Sequence, residues 1–335
     1  PGLDKNGLLA LGQELEALDD VEYCSLEPLQ GPPPPDPFDV PSQANHDAAP
    51  ITPLYTDQQG WLGPNPGVDC RYGWTVGADG YSVTVRDIED SWGSLKHEDF
   101  PWDSLAYVLP AYTHTYDDHG MGIFGMIFGQ HNDYGIDGCA PRAKGRAYSF
   151  QTSATAQNRP NAMTRMVTDA VVGDIILLEM QTSGADGKLA PADYTTAIWD
   201  LTKQATDKGV VVIGTAGNGG ANLDSSVYAA YRNRGDNGVV MEGAGTSTTA
   251  HTKLDFSSYG RCCVHVQGWG QNVVTAGYGT LSNLSSDSTQ RYSNSFSGTS
   301  SGSSATQKAS LLDGTPSAGF AITITARRCG AIRGR

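Results

Sequence analysis

Two short, almost uninterrupted apolar segments flank an amphipathic stretch in the middle of this 335-residue sequence. The segments are DAVVGDIILLEM (169–180) and DKGVVVIGTAGN (207–218), and the stretch at 190–209 carries apolar residues at helical spacing. Continuous apolar strands are typical of parallel sheets that are covered on both faces. A strand, a helix and a strand in this order predict a right-handed crossover between parallel strands.

Three other segments extend this pattern: YSVTVRD (81–87), NGVVMEGAG (237–245) and CCVHVQGWG (262–270) each predict a strand. The predicted fold class is therefore α/β, with three layers: a mostly parallel, twisted sheet and helices on both of its faces. In such sheets, functional residues lie at the carboxyl ends of the strands. Polar residues that follow the predicted strands are therefore the candidates for a site.

Charge and hydropathy exclude two classes of function. The formal net charge is -14, and Lys and Arg do not cluster before the last few residues, so the footprint of a nucleic-acid-binding protein is missing. The longest apolar run, Val171 to Met180, contains Gly173, Asp174 and Glu179, and is too short and too polar to span a bilayer. A soluble, secreted or salt-exposed enzyme fits this composition better.

Six cysteines are scattered along the chain without the C-x-x-C spacing of a zinc or redox site. Two interpretations stay open: one or two disulfides in an oxidised, exported protein, or buried free thiols. The neighbouring Cys262 and Cys263 are expected to point to opposite faces of a strand.

The N-terminal part differs in character from the rest. Residues 1–29 predict an amphipathic helix followed by a short strand, and residues 30–53 are rich in proline, which favours an extended spacer. We therefore expect the main domain to cover residues 54–301, with an atypical tail at 302–335. The sequence starts at Pro1, so we expect that the N-terminus was processed, trimmed or lost.

Four polar residues occupy the predicted strand ends or the start of a helix. Asp87 ends a strand and could orient a histidine, or only cap a helix. His119 opens a helix with glycines at 120, 122, 125 and 129, which give it a face for close packing. Asn218 could donate to an oxyanion or only form a turn. Ser300 follows a Gly-Thr turn in SFSGTSSGSS (295–304).

These four residues lie in motifs that resemble those of the subtilisin-like serine peptidases. The resemblance extends over residues 81–301, and the order Asp, His, Asn, Ser is that of the family. The motifs that carry it are VRDIEDSW with HEDF, DDHGMGIFGMIFGQHNDYGIDGCAP, GTAGNGG, LDFSSYG, GWGQNVVTAGYG and SGTSS.

The resemblance implies a role for each residue. Ser300 attacks the scissile carbonyl, His119 transfers the proton, and Asp87 orients the imidazole. Asn218 and the backbone N–H of Ser300 form the oxyanion hole. Ser301 is a competing nucleophile, but the family's serine directly follows Gly-Thr, which favours Ser300.

By the same resemblance, Thr182, Ser183 and Gly184 line an edge strand to which an extended peptide adds; the alternative is a surface loop. The implied protein is a secreted monomer that cleaves proteins or peptides and binds its own pro-region. Residues 1–29 would be a remnant of that pro-region, or else an ordinary extension. No cofactor is required for the chemistry. Structural calcium is expected by resemblance only, because YDDHG and ADGK lack spaced oxygen ligands.

The sequence departs from the family just after Ser301. Gly302 and Ser304 stand where the family has alanine and proline, and Gln307 and Lys308 stand where it has apolar residues. Five of the 22 Lys and Arg residues lie in the last 28 positions. A second hypothesis is therefore a catalytically impaired or truncated protein of this fold that at most binds peptides. An esterase on an α/β-hydrolase fold is disfavoured, because the triad order here, Asp, His, Ser, differs from the order Ser, Asp, His of that fold.

Overall fold

The computed structural model describes residues 5–17, 52–284 and 288–302. The strands in these residues are β1 (Thr84–Glu89), β2 (Leu105–Leu109), β3 (Lys144–Ser149), β4 (Gln151–Ser153), β5 (Ala156–Gln157), β6 (Ile175–Leu178), β7 (Gln181–Ser183), β8 (Leu189–Pro191), β9 (Val211–Thr215), β10 (Val240–Gly245), β11 (Val266–Trp269), β12 (Val273–Ala276), β13 (Ser282–Asn283) and β14 (Arg291–Phe296). The α-helices are α1 (Lys5–Glu16), α2 (Cys70–Thr75), α3 (Asp117–Phe128), α4 (Arg159–Asp169), α5 (Thr196–Asp207) and α6 (Ala229–Asn233).

A seven-stranded sheet, in the order β2-β3-β1-β6-β9-β10-β11, forms the centre of the molecule. Every neighbouring pair of its strands is parallel. From β1 the chain moves to the β2 edge, returns through β3, crosses to β6 and then continues outward to β11. The strand order therefore reverses its direction beside β1. In α/β proteins, ligands bind in the crevice at such a reversal.

The two faces of the sheet bury separate apolar clusters, because side chains alternate along each strand. In β6, Ile175 and Leu177 pack with α3, while Ile176 and Leu178 pack with α4 and α5. The predicted α/β architecture with helices on both faces is confirmed. The predicted stripe of α5 is also confirmed, since its members are buried: Ala197, Ile198, Leu201 and Ala205.

Of the four glycines predicted to form a packing face, Gly122 and Gly125 pack against β14 and β12, which pair antiparallel, whereas Gly120 packs against Trp92 and Gly129 follows the end of α3. A Cβ added at Gly125 would lie 2.5 Å from Thr275 Oγ1 and 2.6 Å from the backbone N of Ala276. A Cβ at Gly122 would lie 3.0 Å from the Phe296 ring. Glycine lets this helix approach the β12–β14 pair more closely than any other residue would.

The N-terminal helix is present as α1, but its large apolar residues are exposed: Leu8, Leu9, Leu11 and Leu15. The strand predicted at 21–24, the proline-rich segment and the tail from residue 303 lie outside the described residues, so the predicted domain boundaries stay predictions. In the part of the chain that the structure describes, no helix is long and apolar enough to cross a membrane.

The cysteines follow neither interpretation alone. Cys70 and Cys263 are free and buried, Cys139 is buried, and Cys262 is disulfide-bonded. The prediction that Cys262 and Cys263 lie in a strand is wrong, because residues 261–263 form a turn and β11 begins only at Val266.

Candidate active site

A buried histidine and a buried glutamate meet at the carboxyl end of β1. His119 lies in the first turn of α3, and its Nδ1 is 2.5 Å from Oε1 of Glu89, the last residue of β1. The side chains of both are almost fully enclosed. A carboxylate that accepts from Nδ1 fixes the tautomer, so that Nε2 is the nitrogen left to accept a proton.

The prediction that Asp87 orients His119 is wrong in this structure. The strand ends two residues later than predicted, at Glu89. Asp87 lies two residues before Glu89, on the same face of β1. Its Oδ2 accepts a hydrogen bond from Nε1 of Trp92 at 2.6 Å. The Trp92 ring in turn packs against the first turn of α3, since a Cβ at Gly120 would lie 2.6 Å from ring atom Cδ1. Asp87 thus supports the packing beneath the histidine and does not contact it.

Several acidic side chains lie near His119, and they are buried away from water. Burial raises the pKa of Asp87 well above its usual range, and the nearby charge of Glu89 raises it further. Burial also raises the pKa of Glu89 well above its usual range, and the nearby charge of Asp90 adds to that shift. Burial lowers the pKa of His119, while the carboxylates of Glu179 and Asp90 act in the opposite direction. The histidine is therefore held neutral by burial, with carboxylates close enough to favour its cation when a proton arrives.

The loop after β9 presents Asn218 to the turn before Ser300. Asn218 Oδ1 accepts from the backbone N–H of Thr299 at 2.9 Å and from its hydroxyl at 3.0 Å. Because these two donors define which side of the amide is oxygen, Nδ2 is left as a donor on the other side.

Two nitrogen atoms that can donate lie near Gly298. A Cβ added at this residue would lie 3.4 Å from Asn218 Nδ2, 3.8 Å from Asn218 Oδ1 and 3.8 Å from the backbone N of Ser300. Gly298 has φ +114°, a conformation that side chains rarely adopt. The space beside Gly298 is the candidate anion pocket.

The two adjacent serines differ in their surroundings. Ser301 Oγ lies 2.7 Å from the carbonyl oxygen of Trp269 and 3.0 Å from that of Gly298, and the residue is completely buried. A hydroxyl that is held by backbone carbonyls is poorly placed for attack. These contacts argue against Ser301 as the nucleophile, and Ser300 stays a prediction.

His119 packs against the end of β14. The imidazole lies edge-on to the ring of Phe296, with 5.7 Å between the centroids. Phe296 ends β14, and Ser300 follows four residues later in a helical segment that starts at Thr299 and includes Gly302. β14 thus connects the contact with α3 to the segment that carries the serine.

The predicted substrate-binding residues lie on a hairpin and not in an irregular loop. Thr182 and Ser183 belong to β7, which pairs antiparallel with β8 on one side. Gly184 follows, and a Cβ there would lie 2.1 Å from the hydroxyl oxygen of Tyr228. The strand β8 is the partner of β7 in this two-stranded sheet.

The described residues contain no group of three or more Asp, Glu, His or Cys side chains placed to hold a metal ion. In the segments considered for calcium, Asp118 Oδ1 accepts from the backbone N–H of Tyr278 at 2.9 Å, and Asp186 Oδ1 accepts from the Tyr228 hydroxyl at 2.5 Å. Neither segment gathers the oxygen ligands of a calcium site. Structural calcium stays a prediction by resemblance.

Comparison with known proteins agrees with this architecture. Residues 107–311 match the Subtilase family, peptidase S8, and these residues are more than half of the chain. The chain belongs to the subtilase family. The match starts after β1 and continues ten residues beyond Ser301, into the segment predicted to depart from the family.

This subtilase is 27% identical over 172 residues to the minor extracellular protease Epr of Bacillus subtilis, which is 49% of this chain and 24% of that protein. The chain thus spans about a quarter of that relative's length. Solved structures share the fold at low identity. A cold-adapted subtilisin-like serine proteinase has a TM-score of 0.51 at 19% identity, with 70% of this chain and 76% of that chain covered. The Aeromonas sobria serine protease, in a complex with a chaperone, has a TM-score of 0.61 at 18% identity, with 81% and 55% covered.

Sequence reasoning missed Glu89. A signal was available, because Asp87 and Glu89 in DIE are two residues apart and must share one face of a strand. Only the point at which the strand ends decides between them, and strand ends are poorly defined by sequence.

Proposed function

We propose that this subtilase is a serine endopeptidase in which Ser300 is the nucleophile, His119 the general base and Glu89 the carboxylate that orients it. The observation that carries the proposal is the 2.5 Å contact between His119 Nδ1 and Glu89 Oε1. A buried histidine whose Nδ1 is bound by a carboxylate is the arrangement that activates a serine hydroxyl at Nε2.

The chemistry follows from these positions. Ser300 Oγ attacks the peptide carbonyl while its proton moves to His119 Nε2. The oxygen that becomes negative enters the space beside Gly298 and accepts from Asn218 Nδ2 and from the Ser300 N–H. His119 then protonates the leaving amine, the C–N bond breaks and an acyl-enzyme remains. Water, deprotonated by the same histidine, releases the acid.

The substrate is an extended segment of a protein or peptide that pairs alongside β7, beside Thr182, Ser183 and Gly184. We propose that the protein is exported and acts as a monomer, in keeping with its likeness to an extracellular protease. Residues 1–29 are proposed to be part of a pro-region. The preferred residue at the cleavage site stays open.

A fluorophosphonate probe tests the nucleophile. The wild-type protein should be labelled, the Ser300→Ala variant should not, and Ser301→Ala is the matched control that should keep its label. A folded wild-type protein that takes no label would support the second hypothesis, a non-catalytic subtilase that at most binds peptides. Hydrolysis of casein by the labelled protein would separate a peptidase from an esterase.

A further inference from the structure

The proposed oxyanion donor is held on three sides, and one of the groups that hold it belongs to the substrate-binding strand. Gln181 is the first residue of β7 and is buried. Its side-chain Oε1 accepts from the backbone N–H of Asn218 at 2.9 Å. This hydrogen bond joins the hairpin of β7 and β8 to the loop after β9, across 37 residues of sequence.

Other contacts also hold the loop. A Cβ at Gly217 would lie 2.9 Å from the backbone of Ala190, and a Cβ at Gly219 would lie 2.2 Å from the backbone N of Leu189. Packing against β8 thus fixes where the loop lies on both sides of Asn218. The rotation of the peptide plane between Gly217 and Asn218 is set by a hydrogen bond at each of its ends: the Ser258 backbone N–H donates to the Gly217 carbonyl oxygen at 2.9 Å, and Gln181 Oε1 accepts from the Asn218 N–H.

That rotation matters for the donor. The side chain of Asn218 is fixed at one end by Thr299, through Oδ1. At the other end its direction depends on the backbone of Asn218 itself, which carries the N–H that Gln181 accepts. A catalytic donor has to be held close to its productive position before the reaction, because reorientation during the reaction cancels part of its effect.

We infer that Gln181 is a positioning residue for the oxyanion hole: its side-chain carbonyl holds the Asn218 backbone so that Nδ2 points at the anion pocket. The inference rests on the proposed function. It also assigns a second task to β7, since the strand that would bind the substrate backbone also holds the donor that stabilises the transition state. Gln181 itself does not touch the reacting atoms.

Three variants test this inference with a peptide substrate and active sites counted by fluorophosphonate titration. Gln181→Met keeps the length of the side chain and removes the acceptor, and should lower kcat about tenfold with little change in KM. Gln181→Glu keeps an acceptor oxygen and should retain most of the activity. In an Asn218→Ala background, Gln181→Met should cause no further loss, because its effect passes through the Asn218 side chain.

Each other result overturns the inference. Equal losses in Gln181→Met and Gln181→Glu would show that the acceptor is not what matters. A rise in KM at constant kcat would show that Gln181 serves the substrate strand alone. The same loss in the presence and absence of the Asn218 side chain would show a general structural role. Failure of the proposed function would be visible earlier, as a wild-type protein without hydrolysis that depends on Ser300.

Discussion

Oε1 of Glu89 lies 2.5 Å from Nδ1 of His119, in a buried pair at the carboxyl end of β1. Asp87, on the same face two residues earlier, is bound instead by the indole N–H of Trp92. Its other oxygen has no hydrogen-bond partner among the described residues. The two carboxyl groups therefore differ in their surroundings: Glu89 contacts the histidine, and Asp87 contacts an indole of the core.

The pH dependence of activity should reflect the burial of His119. As general base the imidazole must be neutral, so kcat/KM rises with pH as His119 loses its proton. Burial lowers the pKa of His119 from its ordinary value of 6.5, which places the midpoint of the acid limb below pH 6.5. A profile of kcat/KM against pH measures it.

The variant Glu179→Gln gives this prediction an internal control. The Glu179 carboxylate raises the pKa of His119, so its neutralisation should move the acid limb to still lower pH. A limb that lies at or above pH 6.5, or that moves upward in the variant, would contradict the assignment of His119 as a buried base.

The close approach of α3 to the β12–β14 pair should depend on Gly125. A Cβ there would overlap the Thr275 hydroxyl and the backbone of Ala276, which cannot move away easily. We expect Gly125→Ala to lower the free energy of unfolding by about 1 to 3 kcal/mol, the usual effect of overpacking. Urea denaturation measures it.

Gly63→Ala is the matched control, since Gly63 has φ -82° and a Cβ there would lie 3.5 Å from the nearest atom, Gly60 O. This variant should be close to neutral. Equal effects of the two substitutions would contradict the packing described for α3.

Gly302 is a departure from the family that the structure explains. A Cβ there would lie 2.8 Å from Oε1 of the buried Glu242 and 3.2 Å from the carbonyl oxygen of Gly243. Restoring the alanine of the family, Gly302→Ala, should therefore destabilise the protein by about 1 to 3 kcal/mol instead of stabilising it.

A double-mutant cycle identifies the cause. In a Glu242→Ala background the cost of Gly302→Ala should be smaller, because the added methyl group then meets a shorter side chain. Unfolding free energies of the four proteins give the interaction energy directly. If Gly302→Ala stabilises the protein, the packing argument is wrong and the glycine only lowers the stability of its helix.

The sequence predicts the central fold well and the fine geometry of the site less well. The strands β6 and β9 and the stripe of α5 are visible because apolar periodicity reports burial directly. The choice between Asp87 and Glu89 is not visible, since both share one face and the decision depends on where β1 ends. The Gln181 contact is equally hidden, because a hydrogen bond between distant segments leaves no local pattern.

The most direct test compares kcat/KM of two variants, Glu89→Gln and Asp87→Asn, per fluorophosphonate-titrated active site. Glu89→Gln removes the carboxylate that orients His119 and stabilises its cation, and should lower kcat/KM roughly 10³- to 10⁴-fold. Asp87→Asn keeps an acceptor for Trp92 and changes a side chain that is bound to the indole and not to His119, so it should stay within about fivefold of wild type. A large loss in Asp87→Asn together with an active Glu89→Gln would contradict the account.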